Sequence, residues 1–274
     1  MSNRPEDIQA RLSGLDAIGQ VVGALRAIAV GQAAAAQGSM AAITAYAETI
    51  DQAFAALALA HPAPVSGDGL LLVIGASQGF SGAYPARIAT AARQACTPDT
   101  GLVVLGHRTL DMLSDHGDGL PVLWSADLPG HPSMIPALAS EVTDALVRLS
   151  PAHPGPIRAV IGPRAGGTEP ELRPLLPRPE TSATTPGASR PLTTLPPAVL
   201  LEGLVPEALF AVTALAILQG VEAEARARIE AMARAQSNLR TRRAEVQRQF
   251  QQARQEQMTT EMIELASTQP ANRS

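Results

Sequence analysis

The sequence predicts an α/β chain: an antiparallel coiled coil of long N- and C-terminal helices around a small Rossmann-like α/β domain. Three observations predict it. Apolar residues near the start recur every seven positions, at Leu15, Val22, Ala29, Ala36, Ile43, Ile50 and Leu57. The end of the chain repeats the pattern at Ala225, Met232, Leu239, Val246 and Ala253. Between them, short apolar runs alternate with helix-period stretches, the signature of a largely parallel sheet.

The first helix is allowed by the absence of proline from Glu6 to His61. A second row, Ile18, Leu25, Gln32, Ser39, Tyr46 and Ala53, runs beside the seam and is partly polar. Gly14, Gly19, Gly23, Gly31 and Gly38 each cost about 1 kcal/mol against alanine in a helix interior. Gly19 and Gly23 read equally as a tolerated cost or as a place where another backbone comes close. The second helix has neither glycine nor proline from Val221 to Gln269. Begun near Pro206, it would cover about 60 residues and roughly 90 Å. Its companion row, Ile229, Gln236, Arg243, Phe250 and Gln257, is also polar, so the pair is not fully dry and something else holds part of it.

In the middle, strands are expected at Leu70–Ile74, Leu102–Leu105, Leu120–Trp124 and Ile157–Ile161. Helices are expected over Ala83–Ala95, about Thr109–Ser114 and around Ile135–Leu149. Proline is dense from Pro151 to Pro206, and Glu180–Arg190 holds only small or polar residues and proline, so this stretch reads as an irregular crossing. The expected division is residues 1–62, 68–205 and 206–268.

Composition narrows the chemistry. The 274 residues are 46% hydrophobic, with a net charge of −4 and a pI near 5.8, so no basic nucleic-acid footprint is present; lysine is absent and every cation is arginine. A single cysteine, Cys96, excludes an internal disulfide framework and fits a reducing compartment. The five histidines show no metal-ligand spacing. The longest uncharged apolar run, Ala208–Leu218, is short of the roughly 20 residues that span a bilayer, so no transmembrane segment is expected. The arginines at 240, 242 and 243 have the acidic neighbours Glu230 and Glu245, as on a solvated helix face.

One motif advertises catalysis. Gly75-Ala-Ser77-Gln-Gly79 follows the first strand and matches the G-x-S-x-G nucleophile elbow of serine hydrolases. His107, His116, His131 and His153 lie downstream, with Asp111, Asp115 and Asp127 among them. The competing reading is a tight strand-to-helix turn. It is favoured because no oxyanion segment precedes Ser77 and because the chain beyond His153 turns proline-rich and then helical. The adjoining Gly79–Gly82 segment could cradle a phosphate, but it lacks a full P-loop or dinucleotide fingerprint, so no nucleotide cofactor is expected.

Four blocks, in order along nearly the whole chain, resemble the gamma subunit family of ATP synthases. Glu222–Asn238 is similar to its SE…AR…AM..A..N pattern, and Ala253–Glu261 to ARQ..IT.E. Ser77–Tyr84 is similar to its DRGLCGGY turn, and Ala24–Ala29 sits where the family has AM.MVA. Leu25 replaces the usual methionine, lysines are gone, and the proline-rich crossing through Pro191, Pro196 and Pro197 is unusual. Those departures resemble the N-type branch, whose members pump sodium or protons. The resemblance implies a central rotor shaft inside a hexamer of alpha and beta subunits, footed on the epsilon subunit and the membrane c-ring. It also implies no catalytic residues and no cofactor, and a place at the cytoplasmic face of the bacterial inner membrane. Rotor–stator contacts would fall to Leu25, Arg26, Arg254, Gln255 and Thr259. The coiled-coil seam would be Leu15, Val22, Ile43, Met232, Leu239 and Val246.

Overall fold

The computed structural model describes residues 4–57, 66–115, 119–176 and 193–268. Helix α1 spans Pro5–Leu57 and helix α5 spans Pro197–Thr268. Between them run β1 (Leu70–Ile74), α2 (Tyr84–Ala95), β2 (Gly101–Leu105), α3 (His107–Ser114), β3 (Val122–Ala126), α4 (Ile135–Leu149), β4 (Ile157–Ile161) and β5 (Glu171–Leu176). The chain forms two compact units, residues 1–28 with 230–274, and residues 29–229.

The larger unit is built on a five-stranded sheet in the order β3-β2-β1-β4-β5. Pairs β1–β2, β1–β4 and β2–β3 are parallel, while β4–β5 is antiparallel. Every residue of β1 and β2 is buried, as expected of strands covered on both faces. The strand period of two sends Leu70, Leu72 and Ile74 to one face and Leu71 and Val73 to the other. The first face packs on α4, on α5 from Leu209 to Val221 and on Ala36 of α1. The second packs on Tyr84, Ile88 and Ala92 of α2 and Leu113 of α3, and also takes Ala223 and Ala227 of α5. Helix α5 therefore passes from one face of the sheet to the other within a turn or two.

Three expectations are corrected. β3 begins at Val122, two residues later than expected, because its ladder opens with Val122 opposite Leu102 while the Pro121 carbonyl accepts the Leu102 N–H. The proline-rich stretch, expected to be irregular throughout, contains a strand, β5. Its Pro174 is tolerated because β5 lies at the sheet edge, where a missing donor can face away from the ladder. Helix α5 starts at Pro197 and runs through Pro206 rather than starting there. Residues 180–190 lie outside the described residues, as does His116.

Within the same unit, Tyr46 donates to Glu207 at 2.5 Å and meets Phe210 edge to face, and Ile50 and Phe54 pack on Ala208. The Glu207 carboxylate and burial push the Tyr46 phenol up to about 12. By length and mean hydropathy alone, α1 and α5 could each cross a bilayer. The apolar window of α5 is 56% buried and that of α1 is 11% buried.

The smaller unit pairs the start of α1 with the end of α5. Ile8 and Leu12 bury against Val246, flanked by Leu15, Phe250 and Ala253. Asp16 accepts Arg243 Nε at 2.6 Å and Gln236 accepts Arg26 at 3.1 Å, a ladder in which rising numbers on α1 meet falling numbers on α5. A Cβ on Gly19 would meet nothing, and one on Gly23 only the Gln236 amide at 3.6 Å, so neither glycine admits a close backbone from α5.

Candidate functional site

A doubly wound sheet offers its ligand seat at the C-terminal ends of the strands where the winding reverses. Here that reversal lies between β1 and β4. The seat is filled by the chain's own helix α5. An added Cβ at Gly162, just past β4, would stand 2.5 Å from the Ala223 methyl and 2.6 Å from the Tyr84 hydroxyl. One at Gly220 would stand 2.2 Å from Ile74 Cγ2, at the end of β1. Glycine at these two positions is what lets helix and sheet close on each other.

The segment Gly75–Gly79 follows β1 directly beneath this crossing. Gly75 leaves room for Thr109, whose hydroxyl accepts the Ala76 N–H at 2.9 Å. Ser77, 6% exposed, accepts the Leu128 N–H at 2.7 Å and donates to Asp127 Oδ1 at 3.2 Å. The same oxygen takes the backbone N–H of His107 at 3.0 Å and its Nδ1 at 2.8 Å. Burial raises the Asp127 carboxyl, but the bonds from His107 and Ser77 outweigh it and hold it below the usual carboxylate range.

This wiring overturns the hydrolase reading. A nucleophilic serine needs a histidine on its oxygen and an empty oxyanion position served by the following backbone N–H. Here the carboxylate, not the imidazole, sits on Ser77. The following N–H, that of Gln78, already donates to Glu224 Oε1 at 2.9 Å. The turn is a receptor for a side chain of α5.

Glu224 and Arg228 are the charged residues that fill it, 6% and 4% exposed. Arg228 donates to Glu224 at 2.7 Å, to the Gly79 carbonyl at 3.1 Å and to Gln32 of α1 at 3.0 Å. The Gln32 amide in turn reaches the Gly130 carbonyl at 3.4 Å. Burial pushes the Glu224 carboxyl up, opposed by the backbone N–H groups of Gln78 and Ser77 and by Arg228. Burial and Glu224 also push the Tyr84 phenol far up, and its hydroxyl has no partner among the described residues. Beyond Gly79, Phe80 is 66% exposed at φ +66°, a strained conformation for a bulky residue. It is imposed on both sides, since Arg228 holds the Gly79 carbonyl and the Ser81 carbonyl accepts the Tyr84 N–H.

The residues singled out from the sequence are dispersed along the two helices. Met232 and Val246 are buried, while Leu15, Val22, Ile43 and Leu239 are half-buried. Leu25 is half-buried and Arg26 is engaged with Gln236. Arg254, Gln255 and Thr259 are exposed, and the Thr259 hydroxyl turns back to the Gln255 carbonyl. Glu224, Arg228 and Gln32 were not singled out as a cluster. The available signal was Gln32, a polar residue in the helical row beside the seam.

A sheet whose ligand seat is plugged by its own long helix, with its serine turn bonded to that helix, defines a protein built to carry a long helix rather than a hydrolase. A family model described as ATP synthase matches residues 4–271. The chain belongs to that family, the gamma subunit family of ATP synthases. The fold matches a chain of the Euglena gracilis mitochondrial ATP synthase rotor in rotational state 1, at TM-score 0.64 and 14% identity over 93% of this chain and 98% of that one. A second Euglena gracilis structure, of OSCP/F1/c-ring in rotational state 3, gives TM-score 0.68 at 14% identity, covering 96% and 93%. The Tetrahymena thermophila mitochondrial central stalk and c-ring gives 0.57 at 15%, covering 78% and 99%. No curated protein matches the sequence.

Proposed function

We propose that this chain is the central rotor shaft of an F-type ATP synthase or ATPase, itself non-catalytic, coupling ion flow in the membrane sector to ATP synthesis or hydrolysis on the beta subunits. The observation that carries the reading is the end of α5. From Arg254 to Ser267 the helix is exposed throughout, including the apolar residues Met258, Met262, Ile263 and Leu265. An isolated solvated helix end has no use for such a stripe, whereas a surrounding sleeve of subunits would cover it.

In this reading the sleeve is the hexamer of alpha and beta subunits, and the epsilon subunit and c-ring meet the α/β domain. The complex sits at the cytoplasmic face of the bacterial inner membrane. Arg254 and Gln255 present donors suited to carboxylates and carbonyls on the sleeve, and neither has a side-chain partner among the described residues. Arg26 is less free for such a role because Gln236 engages it. Membership of the N-type branch rests on the sequence departures alone: Leu25, the missing lysines and the proline-rich crossing.

The test is co-purification with alpha and beta subunits, followed by ATP-driven ion pumping in reconstituted vesicles. Replacing Arg254 and Gln255 together by alanine should leave helical content intact, since exposed arginine pairs are worth only about 0–1 kcal/mol. It should lower the ions pumped per ATP. Normal pumping would remove both residues from coupling, and failure to co-purify would remove the rotor reading itself.

A further inference from the structure

We infer that the buried Glu224–Arg228 pair is the torque joint of this chain, the point within the larger unit where load passes between the α/β domain and the parts of α5 and α1 packed on it, with Glu224 as its positioning residue. The inference rests on the rotor reading.

The joint is identified by contrast with the contacts around it. Helix α5 meets one face of the sheet through Leu209, Ala214, Ile217, Leu218 and Val221, an apolar surface that resists separation more than sliding or turning; Arg173 of the edge strand β5 adds a hydrogen bond to Gln219 at 2.8 Å, which ties α5 to the sheet edge but not to α1. Glu224 and Arg228 supply what that surface lacks. Their hydrogen bonds run to the Gln78 N–H and the Gly79 carbonyl on the domain side and to Gln32 on α1. Three elements far apart in sequence therefore meet on one guanidinium fork, each at fixed distance and angle.

Stability does not account for the pair. Charges buried this deeply lose more hydration than their attraction returns unless geometry is excellent, and apolar replacements are often as stable. The neighbouring Ala223 and Ala227 already pack in the apolar cluster of the second sheet face. What the pair provides is a fixed angular setting of the helix on the domain. The guanidinium is essential to it, because a lysine ammonium lacks the planar fork that serves a carboxylate, a carbonyl and an amide together.

The experiment uses the assembled, membrane-reconstituted complex and reads ions pumped per ATP hydrolysed, normalised to assembled complex. Glu224→Gln and Arg228→Lys should each lower that ratio several-fold. In a Cys96→Ser background, Gln78→Cys with Glu224→Cys should pump poorly when reduced and recover when oxidised, because the disulfide replaces the joint covalently. This pair also covers the case in which a single variant assembles poorly. An unchanged ratio in Glu224→Gln and Arg228→Lys overturns the inference, and so does a lower assembly yield with a normal ratio per complex. A formed disulfide that fails to restore pumping overturns it as well. Wild-type chain that neither assembles nor supports pumping would instead overturn the rotor reading.

Discussion

Replacing Gly220 by alanine sets two well-characterised effects against each other. Helix propensity favours the change by about 1 kcal/mol, since glycine in a helix interior loses more backbone entropy than alanine. Packing opposes it. The new methyl would lie 2.2 Å from Ile74 Cγ2 and 3.2 Å from Ile74 Cβ, against an ordinary carbon–carbon contact of about 3.5–4.0 Å. Ile74 cannot yield: it is wholly buried at the end of β1, and its β-branched side chain is stiff about χ1. Helix and sheet must then part by more than an ångström, one turn before Glu224 and its bond to Gln78. Overpacking of this kind costs about 1–3 kcal/mol, so the net expectation is roughly 0–2 kcal/mol of destabilisation. At about 2–4 °C per kcal/mol for a chain of comparable size, Tm falls by up to about 8 °C. Thermal unfolding by far-UV circular dichroism reads it, with Gly203→Ala in the same helix as control. A Cβ at Gly203 meets nothing within 4 Å, so there the propensity gain stands alone and Tm rises. If Gly220→Ala raised Tm as much as Gly203→Ala does, the close fit of α5 to β1 would be refuted.

Three further outcomes are expected. Ser77→Ala strands the buried Leu128 N–H, which costs about 1–3 kcal/mol in chemical denaturation, while a fluorophosphonate probe leaves wild-type Ser77 unlabelled. Met232→Asp places an unpaired charge at a buried seam position and costs several kcal/mol, whereas Leu239→Asp, half-buried, costs less; equal losses in unfolding midpoint would contradict their placement. Because the folded-state pKa of Asp127 is depressed, its contribution is present above the ordinary carboxylate value near 3.8 and is lost as pH falls through the depressed one. His107→Ala should move the Asp127 carboxyl titration, followed by carbon NMR, upward; an unmoved titration would show that His107 does not hold it.

Much of this fold is legible in the sequence because period and burial coincide. Ala29, Ala36 and Ile50 fall on the predicted seven-residue row and are buried, and the uninterrupted run Leu70–Ile74 is the fully covered central strand. β5 was hidden because Pro174 counts against a strand unless its edge position is known, and edge position is a property of the assembled sheet. The joint was hidden for a related reason. Glu224 and Arg228 stand four apart, a spacing that on most helices marks a solvated pair. Nothing local to α5 distinguishes them from Arg226 and Glu222, which also bond to each other but are more exposed. The difference is made by the turn at residues 77–79 and by Gln32, both far away in the chain. Ser77 was legible as a residue of consequence; its partner became visible only once the sheet had placed Asp127 and Leu128 beside it.

The plugged seat at the end of β1 carries a consequence for competition. The backbone N–H groups at residues 77 and 78 form the kind of concave donor site that captures free anions in other proteins. Here the anion is a carboxylate tethered to the same chain, so its effective concentration is set by the covalent path and not by the surrounding solution. Free phosphate or acetate contends with a ligand that cannot diffuse away, and dilution does not weaken the contact. Occupancy of the site is thereby insulated from the composition of the surrounding medium.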